Sequence, residues 1–441
     1  MNKSYEFSDL VLLIGTNPLP NFVVAKYFME NNPSLKRIWM IISEGTPVQT
    51  STEKLADNLI SVLTKINDEI DFRRPISIND IGDAESIFNT MVTMQRAIIK
   101  SENFGKVHLN YTGGTKSMSV HAYRAIEEKF KEQCEFSYLD ARDFKLKMDY
   151  QKSKTTSDLR KKVNISILEL IELHDCTGVG EFKKKRKNTL ELINKFKPAR
   201  KYLEGLIGTE DWQDKLLEFS VNGYQLKTIV EGMYSDNENS QHREIRTQEY
   251  VANEHILEAM KLIPAEYRIL QDDKTIVLKN EGNKKKKEKA AEFFGGIWLE
   301  HYIYEFLNTK IEEMNEGIVA PQTVAIETDA SIKVENTQSK DFQIDVLLIN
   351  GYQVCGISCT TAAKQDICKG KSFEIIHRTQ QFGGGEAKAL QVCFISNEHI
   401  EKFETDIKSH TSAESKFRVL GIDDLAPDRL WDKIKEFVWG N

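Results

Sequence analysis

Residues 107–119 read Val-His-Leu-Asn-Tyr-Thr-Gly-Gly-Thr-Lys-Ser-Met-Ser, a pattern that predicts a strand, a glycine turn and the start of a helix. Its first five residues predict a strand, and helical spacing begins at Ser117 and continues to Phe130. A glycine pair between a strand and a helix shapes a tight turn. Turns of this kind lie at the carboxyl ends of strands, where open α/β sheets bind their ligands.

Strand and helix signals alternate through the first 150 residues. Strands are predicted at 10–14, 37–42, 107–111 and 134–139, and helices at 21–29, 53–66, 84–99 and 117–130. Because helices separate the strands, the pattern predicts parallel pairing in a doubly wound, Rossmann-like sheet. Residues 145–150 are predicted to add a hairpin strand. We therefore expect an α/β fold class, with a first domain over residues 1–150.

The composition is that of a soluble protein with more than one domain. A chain of 441 residues is too long for one hydrophobic core, and 40% apolar with 29% charged residues is a globular balance. No apolar run approaches the roughly 20 residues of a membrane helix, and the first residues lack a secretion signal. Six cysteines are too few for a disulfide framework, so we expect a cytoplasmic protein with no membrane partner. The net charge of −7 argues against general coating of nucleic acid but allows a local basic groove.

The middle of the chain is predicted to be a connecting module. Residues 151–162 are polar and aperiodic, which indicates a linker, and residues 163–264 are mainly helical. A hairpin over residues 267–278 follows these helices, which predicts a helical, winged-helix-like module over residues 163–290. The lysine run at 284–287 is expected in a loop.

The last part of the chain, residues 291–441, is predicted to form a second α/β domain. A helix is expected over 296–307, and the clearest hairpin of the chain spans residues 343–360 around Asn350-Gly351. Asn-Gly is the strongest two-residue hairpin signal, because both positions need a positive φ. The other predicted elements are a strand around 323–328, a helix over 367–382 and a strand over 389–396.

Two loops at the carboxyl ends of predicted strands are suited to hold a phosphate. Residues 15–21 form the first loop and residues 111–119 form the second. Paired glycines let the backbone approach an anion, the following helix presents free amides and the positive end of its dipole, and Lys116 adds a full charge. The candidate ligand-binding residues are Thr16, Asn17, Pro18, Thr112, Gly113, Gly114, Thr115, Lys116 and Ser119.

The second loop is not a common nucleotide-binding motif. A Walker A motif needs glycine directly before lysine, where this chain has Thr115, and a GxGxxG fingerprint is also missing. ATPase and NAD-binding functions therefore lose support. The alternative to a phosphate site is that the two glycines only shape the turn.

The two loops resemble those of the CARF domain, the ligand-sensing domain of type III CRISPR accessory proteins. Residues 110–119 look much like the second CARF signature, and Thr16-Asn17-Pro18 looks like its first-strand loop. The resemblance covers roughly the first 150 residues. It implies a homodimer that binds a cyclic oligoadenylate, such as cyclic tetra-adenylate, across a two-fold axis.

The hairpin of the last domain contains a carboxylate inside an apolar run. A metal or a basic partner would account for Asp345 there; the alternative is an exposed Asp at a strand edge. This region resembles the PD-(D/E)XK nuclease core, and it is closest to the CARF-nuclease effectors, over residues 295–396. The resemblance implies that the domain cleaves DNA or RNA with the help of Mg²⁺ or Mn²⁺.

The nuclease motif departs from that family at two positions. Ser358 stands where the family has its metal-binding Glu, and Thr360 stands where it has Lys, and neither residue replaces the charge. We expect a site rebuilt in part from the next helix, whose residues 371 and 374 share one face. The candidate catalytic residues are Asp345, Lys371, Glu374 and Glu300, and the candidate metal ligands among them are Asp345, Glu374 and Glu300.

Two other functions stay open on the sequence alone. In the first, the nuclease-like domain is inactive and the protein is a ligand-responsive regulator whose middle module binds nucleic acid or a protein. In the second, the protein is a ring nuclease, and Lys116 and the loop threonines cleave the cyclic ligand. Metal-dependent cleavage of DNA or RNA separates the first from our expectation, and decay of the ligand reveals the second.

Overall fold

The computed structural model describes residues 5–150, 152–174, 179–235, 246–272, 274–278, 284–315, 324–332 and 342–440. Three sheets organise these residues: one of seven strands, one of three and one of five. None of the helices in these ranges combines the length and the hydropathy that a membrane span requires.

The first sheet confirms the predicted parallel α/β architecture. Its elements are β1 (Phe7–Leu13), α1 (Leu19–Asn31), β2 (Arg37–Ser43), α2 (Glu53–Thr64), β3 (Asp71–Phe72), β4 (Ile76–Ile78), α3 (Ala84–Ile99), β5 (Lys106–Asn110), α4 (Lys116–Phe130), β6 (Cys134–Asp140) and β7 (Lys145–Met148). The strand order is β3-β2-β1-β5-β6-β7, and β4 also pairs with β2. All pairs are parallel except β6 with β7, the predicted hairpin. Because β1 and β5 are neighbours, the loops that follow them lie side by side.

The middle segment is mainly helical, as predicted, and it also contains a small antiparallel sheet in the order β8-β10-β9. Its elements are α5 (Ile167–His174), α6 (Val179–Glu204), α7 (Trp212–Ser235), β8 (Arg246–Glu249), α8 (Glu254–Leu262), β9 (Leu270–Asp272), β10 (Thr275–Leu278) and α9 (Lys284–Glu292). The prediction of a loop at residues 284–287 is wrong, since these lysines begin α9. Lysine has good helix propensity, and the buried Ala290 and Ala291 anchor the helix in the core.

The last sheet combines a hairpin with parallel crossovers, in the order β11-β12-β13-β14-β15. Its elements are α10 (Trp298–Asn315), β11 (Val324–Ile332), β12 (Phe342–Asn350), β13 (Gln353–Cys359), α11 (Gln365–Gly383), β14 (Lys388–Val392), α12 (Asn397–Thr411), β15 (Phe417–Leu420) and α13 (Pro427–Trp439). A π-helical turn over Phe293–Ile297 precedes α10, and the predicted helix start, Gly296, lies in it with φ +142°. The first three strands are antiparallel, and β13, β14 and β15 are parallel.

The predicted hairpin turn is displaced by one residue. Asn350 pairs with Gln353, so Gly351 and Tyr352 are the two central residues instead of Asn350 and Gly351. Gly351 has φ +64° and Tyr352 does not have a positive φ, which is the pattern of a type II′ turn. The turn is type II′ and not type I′ because Asn350 still pairs with Gln353 and so belongs to the strand.

The predicted linker packs against the last sheet. Leu159 is fully buried, and the Arg160 guanidinium lies 3.9 Å from the centroid of the Phe144 ring. Arg160 Nη1 also donates to Gln353 Oε1 at 2.7 Å, at the start of β13. A Cβ on Gly351 would lie 2.2 Å from the Arg160 carbonyl oxygen, so only glycine fits at this contact. The first and last sheets are therefore held together by direct packing.

Candidate functional site

The glycine loop after β5 is pressed against the end of β1. A Cβ on Gly113 would lie 2.0 Å from the backbone oxygen of Leu13 and 2.9 Å from Asn21 Oδ1, so no side chain fits there. Gly114 has φ +73°, in the left-handed region that favours glycine. A Cβ on Gly15 would lie 3.0 Å from the backbone nitrogen of Gly114. The two predicted ligand loops therefore form one surface of closely packed backbone.

The start of α4 lies at this surface. Thr115 is the N-cap residue, and its Oγ1 accepts a hydrogen bond from the backbone N–H of Met118 at 3.2 Å. Lys116 is the first residue of α4, it is exposed, and within the described residues it forms no hydrogen bond or ion pair. Thr16, on the neighbouring loop, is also exposed. The backbone amides of Lys116 and Ser117, the ammonium group and a hydroxyl can therefore reach an anion bound here.

Two of the predicted ligand hydroxyls form hydrogen bonds with the backbone of the protein. Thr112 Oγ1 accepts a hydrogen bond from the backbone N–H of Leu139 at 2.7 Å. Ser119 Oγ donates to the backbone oxygen of Thr115 at 3.1 Å and lies 3.4 Å from that of Tyr111. These contacts hold the shape of the loop.

A buried chain of polar groups lies under the loop, and the sequence patterns did not reveal it. Asn110 Oδ1 accepts from the backbone N–H of Thr112 at 3.2 Å, and Asn110 Nδ2 donates to Ser137 Oγ at 3.0 Å. Ser137 Oγ lies 2.7 Å from His108 Nε2, whose pKa is lowered by burial. The Nε2 of a neutral imidazole can accept a hydrogen bond from the Ser137 hydroxyl, while Nδ1 faces Glu135 at 3.9 Å. These polar groups include Ser, His and Glu, but all of them are buried, so their role is to fix the position of the loop.

Asn17 and Pro18 connect the first loop to the rest of the molecule. Asn17 Oδ1 accepts from the backbone N–H of Leu19 at 2.8 Å, which fixes the turn into α1, and Pro18 is buried beside it. Asn17 Nδ2 donates to the backbone oxygen of Phe382 at 3.2 Å. Phe382 lies in the last turn of α11, next to Gly384, whose positive φ of +67° ends the helix. A residue of the candidate ligand loop therefore contacts a helix of the last sheet directly.

The candidate catalytic Asp345 is held by β13. Its Oδ2 accepts from the backbone N–H of Cys359 at 2.8 Å and from Ser358 Oγ at 3.2 Å. A Cβ on Gly356 would touch α11, and Ser358 is two residues further along β13, so Asp345 and Ser358 lie on the face of the sheet that α11 covers. Ser358 stands where the PD-(D/E)XK nuclease motif has its Glu, and here it supports Asp345 through a hydrogen bond.

Glu300 approaches the same strand end from α10. Burial raises the pKa of the Cys359 thiol, and the negative charges of Asp345 and Glu300 raise it further. Both carboxylates therefore act on one buried thiol. A Cβ on Gly296 would lie 3.3 Å from Thr361 Oγ1, which places the start of α10 beside the end of β13. Glu300 and Asp345 therefore each lie close enough to Cys359, the last residue of β13, to affect its thiol.

Lys371 and Glu374 are placed on the outer surface of α11. Their side chains are both 48% exposed, and they pair with each other at 3.8 Å between Lys371 Nζ and Glu374 Oε2. Ser372 is fully buried against the sheet, and Glu374 is about 160° from it round the helix axis. The expected convergence of Glu374 with Asp345 is therefore not seen, because the shared face of the two residues points to solvent.

The acidic groups at the end of β13 fit a small divalent cation only in part. Mg²⁺ is commonly held by one or two carboxylates together with waters, and Asp345 with Glu300 supplies two carboxylates. No group of three or more His, Cys, Asp or Glu side chains within the described ranges could hold a metal ion. The set therefore lacks the third acidic group that a Glu at position 358 would add.

Comparison with known proteins finds a family similarity in the first part of the chain. Residues 10–169 match the family model described as the Card1 CARF domain. This match ends beyond the predicted boundary at residue 150 and includes the segment that packs against the last sheet. No curated protein sequence matches the chain.

Two solved structures share the architecture of nearly the whole chain. VC1899 from Vibrio cholerae is 14% identical, with a TM-score of 0.60, and the match covers 98% of this chain and 99% of that one. Can2 from Sulfobacillus thermosulfidooxidans, solved in complex with cyclic tetra-adenylate, is 13% identical, with a TM-score of 0.54, and the match covers 96% of each chain. At these identities the likeness shows a common fold.

Proposed function

We propose that this protein is a cyclic oligoadenylate sensor of type III CRISPR defence, and that the ligand binds where the loops after β1 and β5 meet. The observation that carries the proposal is the packing of Gly113 on Leu13, which presents bare backbone beside the exposed Lys116 and the start of α4. A bare backbone, a helix N-terminus and an ammonium group together suit the phosphates of a cyclic nucleotide. The CARF match and the cyclic tetra-adenylate bound to Can2 support the choice of ligand.

Isothermal titration calorimetry with cyclic tetra-adenylate, cyclic hexa-adenylate and adenosine monophosphate tests this proposal. One ring should bind at micromolar concentration or below, while the monophosphate, which reaches only one set of contacts, should bind far more weakly. Chromatography of the ligand after incubation tests the ring-nuclease alternative, since an intact ligand excludes that activity. Absence of binding by either ring would contradict the proposal.

We further propose that the protein is a homodimer in which two copies of this loop surface face one ligand. A cyclic oligoadenylate has rotational symmetry, so a two-fold axis lets both protomers make the same contacts. Light scattering should give twice the chain mass of 50.7 kDa without ligand. A mass of one chain at micromolar concentration would contradict the dimer.

We propose that the last sheet is a PD-(D/E)XK-like effector domain that cleaves DNA or RNA when ligand binds. Asp345, fixed by Cys359 and Ser358, and Glu300 would hold Mg²⁺ or Mn²⁺. A bound metal would polarise the phosphodiester and activate water. The protein's own part is to hold the Asp345 carboxylate in one orientation.

Cleavage of single-stranded DNA, supercoiled DNA and RNA, with activator and metal present, tests the effector proposal. Asp345→Ala and Glu300→Gln should each abolish cleavage, whereas Ser358→Ala should cost far less because a hydroxyl adds no charge to a metal. Glu374→Gln is the matched control on the exposed face of α11; its failure to cut would restore Glu374 to the site. A wild type that cuts none of these substrates would favour the regulator without nuclease activity.

A further inference from the structure

Two helices of the middle segment concentrate positive charge in a chain whose net charge is negative. α6 contains nine Lys or Arg residues against three Glu, and α9 contains five Lys against two Glu, whereas the whole chain carries −7. The basic residues are therefore segregated from the acidic remainder. Segregation of this kind is the electrostatic footprint of a surface that meets a polyanion.

The two helices converge on one aromatic ring. Lys195 of α6 and Lys286 of α9 each place Nζ 5.8 Å from the centroid of the Tyr267 ring. Tyr267 is buried, so its ring is a platform that holds both lysines and is not available to stack a base. The two ammonium groups lie within about 12 Å of each other, over which one strand of a duplex presents about three phosphates.

Four lysines of α6 and α9 lack acidic partners among the described residues. In the part of the chain that the structure describes, Lys184, Lys195, Lys285 and Lys286 form no ion pair. On α9 the nearby acid Glu292 is already paired with another lysine. Two ammonium groups held at one ring repel each other, so an external anion between them would lower the free energy of the arrangement.

The exposed basic face of α6 spans about three helical turns, and the buried Arg200 beyond it packs against the helix that carries Glu300. Lys184 and Lys195 are eleven residues apart, so they share one face of α6, about 16 Å apart along its axis. Further along α6, Arg200 Nη1 donates to the backbone oxygen of His301 at 2.9 Å. Glu300 precedes His301 on α10, and it is a candidate metal ligand.

A lipid surface suits these helices less well than nucleic acid. A helix that lies on a bilayer inserts exposed apolar side chains, and none of the large exposed apolar side chains among the described residues is on α6 or α9. We propose that the surface formed by α6 and α9 around Tyr267, the α6–α9 surface, binds the phosphodiester backbone of DNA or RNA. Because it concerns the middle segment alone, this proposal does not depend on ligand sensing by the CARF domain.

Fluorescence anisotropy of the full-length protein with labelled single-stranded DNA, duplex DNA and RNA tests the proposal, with the salt concentration varied. Lys195→Glu combined with Lys286→Glu should weaken binding at least tenfold and reduce the slope of log K against log salt by about 1.4–1.8, as expected for two lost phosphate contacts. The control is Lys402→Glu combined with Lys435→Glu, two exposed lysines of α12 and α13, which gives the same net charge. The control should bind like the wild type.

The arms of this experiment give distinct results. Binding of DNA, of RNA or of both, lost in the α6–α9 variant and kept in the control, supports the proposal and identifies the nucleic acid. Equal losses in both double variants, or no binding by the wild type, overturn it, as does capture by acidic lipid vesicles alone. The affinity for cyclic tetra-adenylate, measured on the same variants, shows separately whether the CARF domain is intact.

Discussion

Asn17 Nδ2 donates a hydrogen bond to the backbone oxygen of Phe382 at 3.2 Å, across 365 residues of sequence. The same side chain accepts from the Leu19 N–H, so one amide ties the candidate ligand loop both to α1 and to the end of α11. α11 covers the face of the sheet on which Asp345 and Ser358 lie. A ligand that shifts Asn17 therefore acts on a helix packed beside the candidate catalytic carboxylate, provided that it binds the two positions with different affinity.

Asn17→Asp should uncouple the two parts while it keeps the turn into α1. An aspartate still accepts from the Leu19 N–H, but it cannot donate to the Phe382 oxygen and instead repels it. Hydrogen exchange by mass spectrometry should show that ligand changes the protection of residues 376–388 in the wild type and not in the variant. Asn89→Asp, which adds the same charge at an exposed position of α3, should behave like the wild type. A normal ligand response in Asn17→Asp would show that this contact does not transmit ligand binding to α11.

Gly113→Ala should abolish ligand binding at modest cost to the fold. Its Cβ would lie 2.0 Å from the Leu13 oxygen, so the glycine loop must move away from β1, and such overpacking costs about 1–3 kcal/mol. Gly385→Ala is the control, because a Cβ there meets nothing within 4 Å. Calorimetry and thermal melting of both variants check the expectation. Normal affinity in Gly113→Ala would show that the ligand does not need the packed loop.

His301 should make the protein less stable as the pH falls below neutral. Burial lowers the pKa of His301 to about 3, with further contributions from Arg200 and Lys289. Below pH 6.5 His301 binds a proton in the unfolded chain but not in the folded protein. The free energy of unfolding therefore decreases as the pH falls toward 3, and the decrease is about 2 kcal/mol at pH 5. The free energy of unfolding, measured with urea, should differ less between pH 7 and pH 5 in His301→Gln than in the wild type, by this amount. An unchanged pH difference would mean that other groups control acid unfolding.

Much of the fold could be predicted because its signals are local. The predicted helix over 84–99 matches α3, since periodicity and capping lie within the segment itself. The hairpin turn at Gly351 was displaced by one residue, and the lysine run that begins α9 was misplaced in a loop, because neighbouring strands and core contacts decided them. Tertiary packing overrides weak local preferences at such places.

The candidate sites were predictable to the extent that they depend on loops after strands. The loops over residues 15–21 and 111–119 lie side by side because β1 and β5 are neighbours in the sheet. Helical spacing indicated that Lys371 and Glu374 share a face, but spacing cannot say whether that face meets the sheet or the solvent. The contact of Asn17 with α11 was likewise beyond prediction, because no local pattern joins residues so far apart in sequence.

Calorimetric titration of cyclic tetra-adenylate into Lys116→Ala tests the central claim most directly. Lys116 is exposed at the first position of α4 and has no partner among the described residues, so its loss should leave the fold intact. A charge-assisted contact contributes about 1.5–3 kcal/mol, which predicts a ten- to hundredfold loss of affinity. Lys129→Ala, at the exposed far end of the same helix, should bind like the wild type. Equal affinity in wild type and Lys116→Ala would contradict a ligand site at the start of α4.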